Sequence, residues 1–323
     1  MPLSSLQKKI FGPVLSIITP FKKNGNIDYN SLKSYINFAY NRGARTFYLM
    51  FYNSRLGLLN LKEIIKLNKF CIKEVKKLNK NSVVICATPY HISTDENIKI
   101  INNFYRSGAD IVSLIFGEKY YSDQQIFNHF KTINDNTRCK LLLHQQILEN
   151  GLKSNPPFVL YNLRLLKKIF TLKNFIAMKE DAKNNNFTKK ICKLLAKKIV
   201  VITSGSGKRQ WLFAKKYGCQ SWLSGISNLD PKISSDFYNF VQKRKISKYM
   251  NIIKKLEDPF FVSNKKFGWH MTIKAFLELS KKFKRYERSP LSPLNDYDMK
   301  KIKKQYKVLL KNNTKYFDLE YKL

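Results

Sequence analysis

The sequence predicts a (β/α)8 barrel followed by a C-terminal helical appendix. Between Pro13 and Val241, eight short apolar runs alternate with amphipathic stretches of helical period, the order expected of βα units sharing one parallel sheet. The apolar runs are continuous rather than alternating, as strands covered on both faces should be. Glycines close several of the amphipathic stretches, where a helix end favours a left-handed residue. A doubly wound sheet is the competing arrangement, and the lack of a GxGxxG after the first strand counts against it.

The elements follow in order. Pro13–Pro20 reads as a strand and Ser31–Asn41 as a helix stopped at Gly43. Thr46–Phe51 is a strand, Lys62–Lys77 a helix, Val83–Ala87 a strand, and Asp95–Ser107 a helix stopped at Gly108. Ile111–Phe116 and Lys140–Gln145 are strands around a helix at Gln124–Ile133, and Leu163–Phe170 is the next helix. Phe175–Lys179, Ile199–Thr203 and Gln220–Leu223 are the last three strands. Their helices are Phe187–Leu195, Arg209–Tyr217 (stopped at Gly218) and Pro231–Val241. Residues 10–242 therefore make the barrel and 243–323 a helical region. Ile246–Leu256, Trp269–Leu279 and Asp296–Leu310 are its helices, separated by Pro259 and by the turn Ser289-Pro290-Leu291-Ser292-Pro293.

Composition narrows the function classes. In 323 residues, 44% are hydrophobic and 14% aromatic, enough for a large core. Lys+Arg number 60 against 22 Asp+Glu, a net charge of +38, but 50 of the 60 are Lys and the excess is spread from Lys8 to Lys322. Groove and phosphate readers lean on the planar Arg fork. A Lys- and Asn-rich chain is instead what AT-rich coding places on solvated faces. The patches Lys281-Lys282-Phe283-Lys284-Arg285 and Lys300-Lys301-Ile302-Lys303-Lys304 read as solvated helix faces, so only weak, salt-sensitive nucleic-acid binding is expected of them. No run approaches the roughly 20 apolar residues of a membrane helix, and Met1–Gly12 is too short and polar for a signal peptide. Five scattered cysteines without a CxxC, and four histidines without HExxH spacing, point to a reducing, cytoplasmic, metal-free protein.

In such barrels the chemistry sits at the C-terminal ends of the strands. Strand six ends in Ile176-Ala177-Met178-Lys179-Glu180-Asp181. Alternation puts Phe175, Ala177 and Lys179 on one face. If that face is the interior, desolvation lowers the Lys179 pKa and leaves an amine able to attack a carbonyl; the plain alternative is a lysine snorkelling into solvent. Strand five ends in Leu142-Leu143-His144-Gln145, where His144 is either a proton carrier or a satisfied core histidine. Strand two runs into Phe51-Tyr52-Asn53-Ser54-Arg55, groups able to hold a carboxylate or simply to form a polar loop. Strand seven ends in Thr203-Ser204-Gly205-Ser206-Gly207, a turn able to hold an anion, though without P-loop spacing.

These pieces together resemble the dihydrodipicolinate synthase / N-acetylneuraminate lyase superfamily of class I, Schiff-base aldolases, from about Gly12 to Leu310. Five stretches carry the resemblance. They are Thr19-Pro20-Phe21 with Asn24-Gly25-Asn26-Ile27-Asp28; Ser107-Gly108-Ala109-Asp110; Ile176-Ala177-Met178-Lys179-Glu180; Ser204-Gly205-Ser206 with Gly218 and Asn228-Leu229-Asp230-Pro231; and Arg288-Ser289-Pro290-Leu291. The resemblance implies that Lys179 is the imine-forming lysine. It also implies a substrate site that includes Gly205, an aliphatic wall at Leu223, and the aromatic pair Tyr120-Tyr121. Three departures stand out. His144-Gln145 replaces the family's Tyr-Asn, whose Tyr relays protons. Phe51–Arg55 replaces GTTGE or GSTGE, losing both glycines and the acid, so that Asn53, Ser54 and Arg55 are left to hold a carboxylate. Glu149 stands where the synthase branch has an Arg.

The expected function is therefore a Schiff-base lyase, aldolase or dehydratase acting on a small anionic 2-oxo acid or sugar acid, with no metal or organic cofactor, but not dihydrodipicolinate synthesis itself. The alternative is a barrel of the same family kept as a binding or scaffold subunit. The resemblance also implies a homo-oligomer, a tetramer or dimer.

Overall fold

The computed structural model describes residues 2–116, 122–146, 161–204 and 207–312. Eight strands hydrogen-bond in sequence order, all parallel, and the last returns to the first to close a barrel. They are β1 (Gly12–Ser16), β2 (Thr46–Tyr48), β3 (Val83–Ala87), β4 (Ile111–Leu114), β5 (Lys140–Gln146), β6 (Phe175–Asp181), β7 (Val200–Thr203) and β8 (Ser221–Leu223). The expected (β/α)8 fold is the observed one. Strands one, two and four are shorter than their apolar runs suggest: Ile17, Ile18, Leu49 and Phe116 are buried beyond the ladder's end. Ile17 and Leu49 still donate their backbone N–H groups to the carbonyls of Tyr48 and Ile85, at 2.8 and 2.9 Å, so the pairing runs on just past these strand ends.

Period-two alternation sorts the strand residues into two apolar layers. Val14, Tyr48, Ile85, Ile111, Leu142, Ala177, Ile202 and Leu223 pack together inside the barrel. Their neighbours Leu15, Phe47, Val84, Val112, Leu143, Met178, Val201 and Trp222 belong to the larger cluster beneath the helices. One strand breaks the alternation. Leu141 pairs with Phe175 but Leu142 pairs with Ala177, which leaves Ile176 as an extra residue in β6. Phe175 therefore lies in the outer cluster while Ile176 joins Ala177 in the inner one. The expected common face of Phe175, Ala177 and Lys179 is corrected to this extent: the bulge resets the phase, and only from Ala177 upward does regular alternation lead to Lys179.

A short N-terminal helix, α1 (Ser5–Lys9), begins in a capping box between Ser4 and Gln7. Gln7 Nε2 donates to the carbonyls of Ile176 and Lys198, at 3.0 Å each. Ile10 packs into the inner cluster with Leu6 against it, closing the N-terminal end of the barrel. The outer helices are α2 (Tyr29–Asn41), α3 (Leu61–Leu78), α4 (Thr94–Arg106), α5 (Asp123–Asp135), α6 (Leu163–Ile169), α7 (Asn185–Leu195), α8 (Gly207–Lys215) and α9 (Pro231–Gln242).

Beyond the barrel run α10 (Ile246–Ile252), α11 (Asp258–Phe267), α12 (Trp269–Leu279) and α13 (Asp296–Asn312). The break expected at Pro259 is absent. Residues 253–257 form a π turn that carries the helix from α10 into α11. A proline ring clashes with the carbonyl four residues earlier in a regular helix; here that residue, Lys255, lies in the widened turn, and the helix continues. Leu256, Phe260, Ile273, Phe276, Tyr306 and Leu309 are part of the same apolar cluster as the barrel's outer layer.

Candidate active site

β5 and β6 pair in register, with His144 opposite Lys179 and Gln146 opposite Asp181. Lys179 is fully buried, and its Nζ lies 2.8 Å from His144 Nε2 and 2.8 Å from Asp181 Oδ2. Asp181 follows Lys179 by two residues, so alternation brings both to the interior face at the C-terminal end of the strand. The intervening Glu180 points the other way. Its carboxylate accepts from the Ala182 N–H at 2.8 Å and from the Thr188 hydroxyl at 2.6 Å, tying the end of β6 to α7. The strand is thus fixed from outside while its inner face presents an amine and a carboxylate. Tyr48 and Ser113 add a hydroxyl pair on the inner face of β2 and β4, 2.6 Å apart.

Burial sets the protonation of this group. It lowers the Lys179 pKa from the ordinary lysine value, and the Asp181 carboxylate opposes the shift. Burial, then the adjacent lysine charge, pushes His144 well below the usual histidine range. The neutral His144 ring shares a hydrogen bond with Lys179 through Nε2, donating or accepting there according to its tautomer. His144 Nδ1 and Asp181 Oδ1 have no hydrogen-bond partner among the described residues. Burial also raises the Tyr48 phenol, with Asp181 contributing in the same direction. The result is a desolvated lysine between a neutral imidazole and a carboxylate, able to give up a proton and attack a carbonyl carbon.

Two other lysines, Lys208 and Lys274, are buried among the described residues. Lys208 Nζ sits 3.1 Å from Glu257 Oε1 and 3.3 Å from Ser224 Oγ. Glu257 also accepts from the Lys208 N–H and from the Ser224 hydroxyl, both at 2.9 Å. Lys274 Nζ lies 3.0 Å from the buried Glu287 carboxylate and 2.8 Å from the Tyr286 carbonyl. Both sit on helices against a fully buried acid. Lys179 differs by standing on a strand, inside the barrel, at the end where ligands enter.

The remaining expected site residues fall in three places. Leu223 lies in the inner apolar cluster with Ala177 and Ile202. Asn53, Ser54 and Arg55 are all engaged by the protein's own scaffold. Asn53 Nδ2 donates to Ser16 Oγ at 2.7 Å, and its Oδ1 is 2.7 Å from His270 Nε2. Ser54 donates its hydroxyl to the Ile17 carbonyl at 2.7 Å. Arg55, at a left-handed φ of 57°, pairs with Glu287 Oε1 at 2.7 Å. The structure therefore brings Lys179 and His144 together and ties the 53–55 loop to β1 and to the C-terminal helices. Tyr120, Tyr121, Glu149 and Gly205 lie outside the described residues.

Asp181 was legible and passed over: the i, i+2 spacing from Lys179 on a strand is the signal. His270 had none, since its contact with Asn53 spans 217 residues.

Comparison with known proteins agrees with the barrel fold. The family profile described as "Dihydrodipicolinate synthetase family" matches residues 9–309. A 4-hydroxy-tetrahydrodipicolinate synthase from Karelsulcia muelleri is 26% identical over 310 residues, 94% of this chain and 99% of that protein. The structure of the 4-hydroxy-tetrahydrodipicolinate synthase from Methylacidiphilum fumariolicum superposes with a TM-score of 0.81 at 20% identity, covering 95% of this chain and 98% of that one. The N-acetylneuraminate lyase from Fusobacterium nucleatum superposes with a TM-score of 0.78 at 15% identity, covering 95% and 99%. At these identities the structural likenesses speak for the fold.

Proposed function

Since the chain belongs to the dihydrodipicolinate synthetase family, whose members named above are lyases, we propose that it is an aldolase-type lyase working through an imine on Lys179. The observation that carries this reading is the 2.8 Å contact of a buried, desolvated Lys179 with a neutral His144 inside the barrel mouth. Lys179 adds to the ketone of a 2-oxo acid or sugar acid, water leaves, and the imine draws electrons from the neighbouring carbon. His144 carries protons during enamine formation and C–C or C–O bond cleavage or joining.

The departures at Phe51–Arg55 and at Glu149 favour a second substrate other than the one implied by the relatives' names. Asn53, Ser54 and Arg55 shape the β2 side of the mouth and act on a substrate carboxylate through the loop they stabilise.

Borohydride reduction in the presence of pyruvate or 2-oxobutyrate, followed by peptide mass spectrometry, tests the reading. A reduced adduct on Lys179 is expected. No adduct with any 2-oxo acid overturns it and favours the second reading, a non-catalytic barrel. That alternative draws on the engagement of Asn53, Ser54 and Arg55 by Ser16, Ile17, His270 and Glu287.

A further inference from the structure

We propose that Asp181 is the catalytic acid–base of imine formation, exchanging a proton with Lys179 and with the oxygen that leaves as water. This rests on the imine reading above and adds a residue to it. The placement of the two partners of Lys179 carries it. His144 is level with Lys179 across the β5–β6 ladder. Asp181 is one rung nearer the barrel mouth, about 6.6 Å further along the strand. Below Lys179 the interior is filled by Leu142, Ala177 and Val200, and Ile202 stands level with it on β7. A carbonyl compound must therefore approach Nζ from the mouth, and its oxygen lies on the Asp181 side. The exposures fit this: the Asp181 side chain is 21% exposed, whereas His144 is 1% exposed. Asp181 Oδ2 is engaged with Nζ, while Oδ1 has no hydrogen-bond partner among the described residues. One carboxylate thus has an oxygen on the nucleophile and a second oxygen open to a donor.

The step balances without another reagent. The Lys179 ammonium passes one proton to Asp181, giving a neutral amine and a carboxylic acid. The amine nitrogen bonds to the carbonyl carbon, and a proton moves from nitrogen to oxygen to give the carbinolamine. Asp181 returns its proton to the hydroxyl, the C–O bond breaks, and water departs. The products are the iminium, water and the Asp181 carboxylate, which then faces the iminium charge. His144 is left free for proton transfers at carbon.

Among the described residues, the charged and titratable groups around Asp181 are Lys179, Glu180 and Lys183 on its own segment, His144 from β5 and Tyr48 from β2. The test is rapid-quench borohydride trapping with pyruvate, following the Lys179 adduct against time and pH. In Asp181→Asn the adduct still reaches Lys179, but its rate of appearance falls by roughly 10²-fold and the acid limb of the pH profile disappears. Asp181→Glu recovers part of both. A rate and pH profile unchanged in Asp181→Asn overturns the proposal while leaving the imine reading intact. Loss of the adduct in Asp181→Asn with no recovery in Asp181→Glu also overturns it, marking a structural role. Absence of the adduct in the unaltered protein removes the imine reading and this proposal with it.

Discussion

His144 Nε2 and Lys179 Nζ face each other at 2.8 Å across adjacent parallel strands, at a matched rung of the ladder. Strand pairing rather than a loop sets this contact, so both groups are held by backbone hydrogen bonds on either side. Replacing His144 by Ala leaves imine trapping at Lys179 in place but lowers turnover by roughly 10²–10⁴-fold, the usual worth of a positioned acid–base. His144→Tyr should recover more activity than His144→Ala. Turnover unchanged in the Ala variant would remove His144 from the mechanism.

Lys179→Met separates chemistry from stability. The adduct is lost, because among the described residues no other buried lysine stands on a barrel strand. Folding stability holds or rises, since an apolar side chain of similar length replaces a buried amine and the remaining Asp181 carboxylate has partial access to water. Urea unfolding beside mass spectrometry reads both. A large loss of stability would make Lys179 a structural lysine.

Lys208 and Glu257 behave in the opposite way. Both are essentially unexposed, and Glu257 has no route to water. Glu257→Gln leaves the Lys208 charge buried without its counter-ion, and the expected cost is about 3–5 kcal/mol in urea unfolding. The double change Lys208→Met with Glu257→Leu should return most of that. A single Glu257→Gln that unfolds like the unaltered protein would refute the coupling. Gly207 belongs to the same unit: its φ is +64°, and an added Cβ would lie 2.7 Å from Glu257 Oε1, so Gly207→Ala also destabilises.

His129 and His270, like His144, make the fold acid-sensitive. Burial pushes His129 down to about 4, and burial with the charges of Arg55 and Lys274 pushes His270 down to about 3. Both folded values lie below the ordinary 6.5, so the unfolded chain takes up protons that the native one declines. Stability is full above about pH 6.5 and falls as the pH drops toward the folded values. At pH 5 each histidine should remove about 1–2 kcal/mol. Denaturant midpoints that do not change between pH 7 and 5 would contradict this, and His270→Gln should flatten the slope.

The barrel was legible because each strand has an apolar run at its heart and several helices carry their own stop signals at Gly43, Gly108 and Gly218. Lys179 was legible because a lysine ending such a strand is costly to bury without a task. What escaped depends on long-range packing. The phase of β6 hinges on the extra Ile176, which no local pattern announces. The helix through Pro259 continues only because a π turn precedes it. Asn53 and Arg55 read as ligand-binding groups, since their partners His270 and Glu287 come more than 200 residues later, and Ser54 reads the same way although its hydroxyl is spent on the Ile17 carbonyl.

That last separation sets an order of events during synthesis. The lysine, the imidazole and the carboxylate of β5 and β6 all leave the ribosome with the first 181 residues. The loop after β2 emerges earlier still and meets Ser16 and Ile17 at once, yet its other anchors lie between His270 and Arg288, which binds Glu63 and the Leu58 carbonyl. A nascent barrel can complete its ladder and bury Lys179 while one side of its mouth is still only partly anchored. A truncation before residue 270 is therefore expected to yield a chain with its nucleophile assembled and its rim unset.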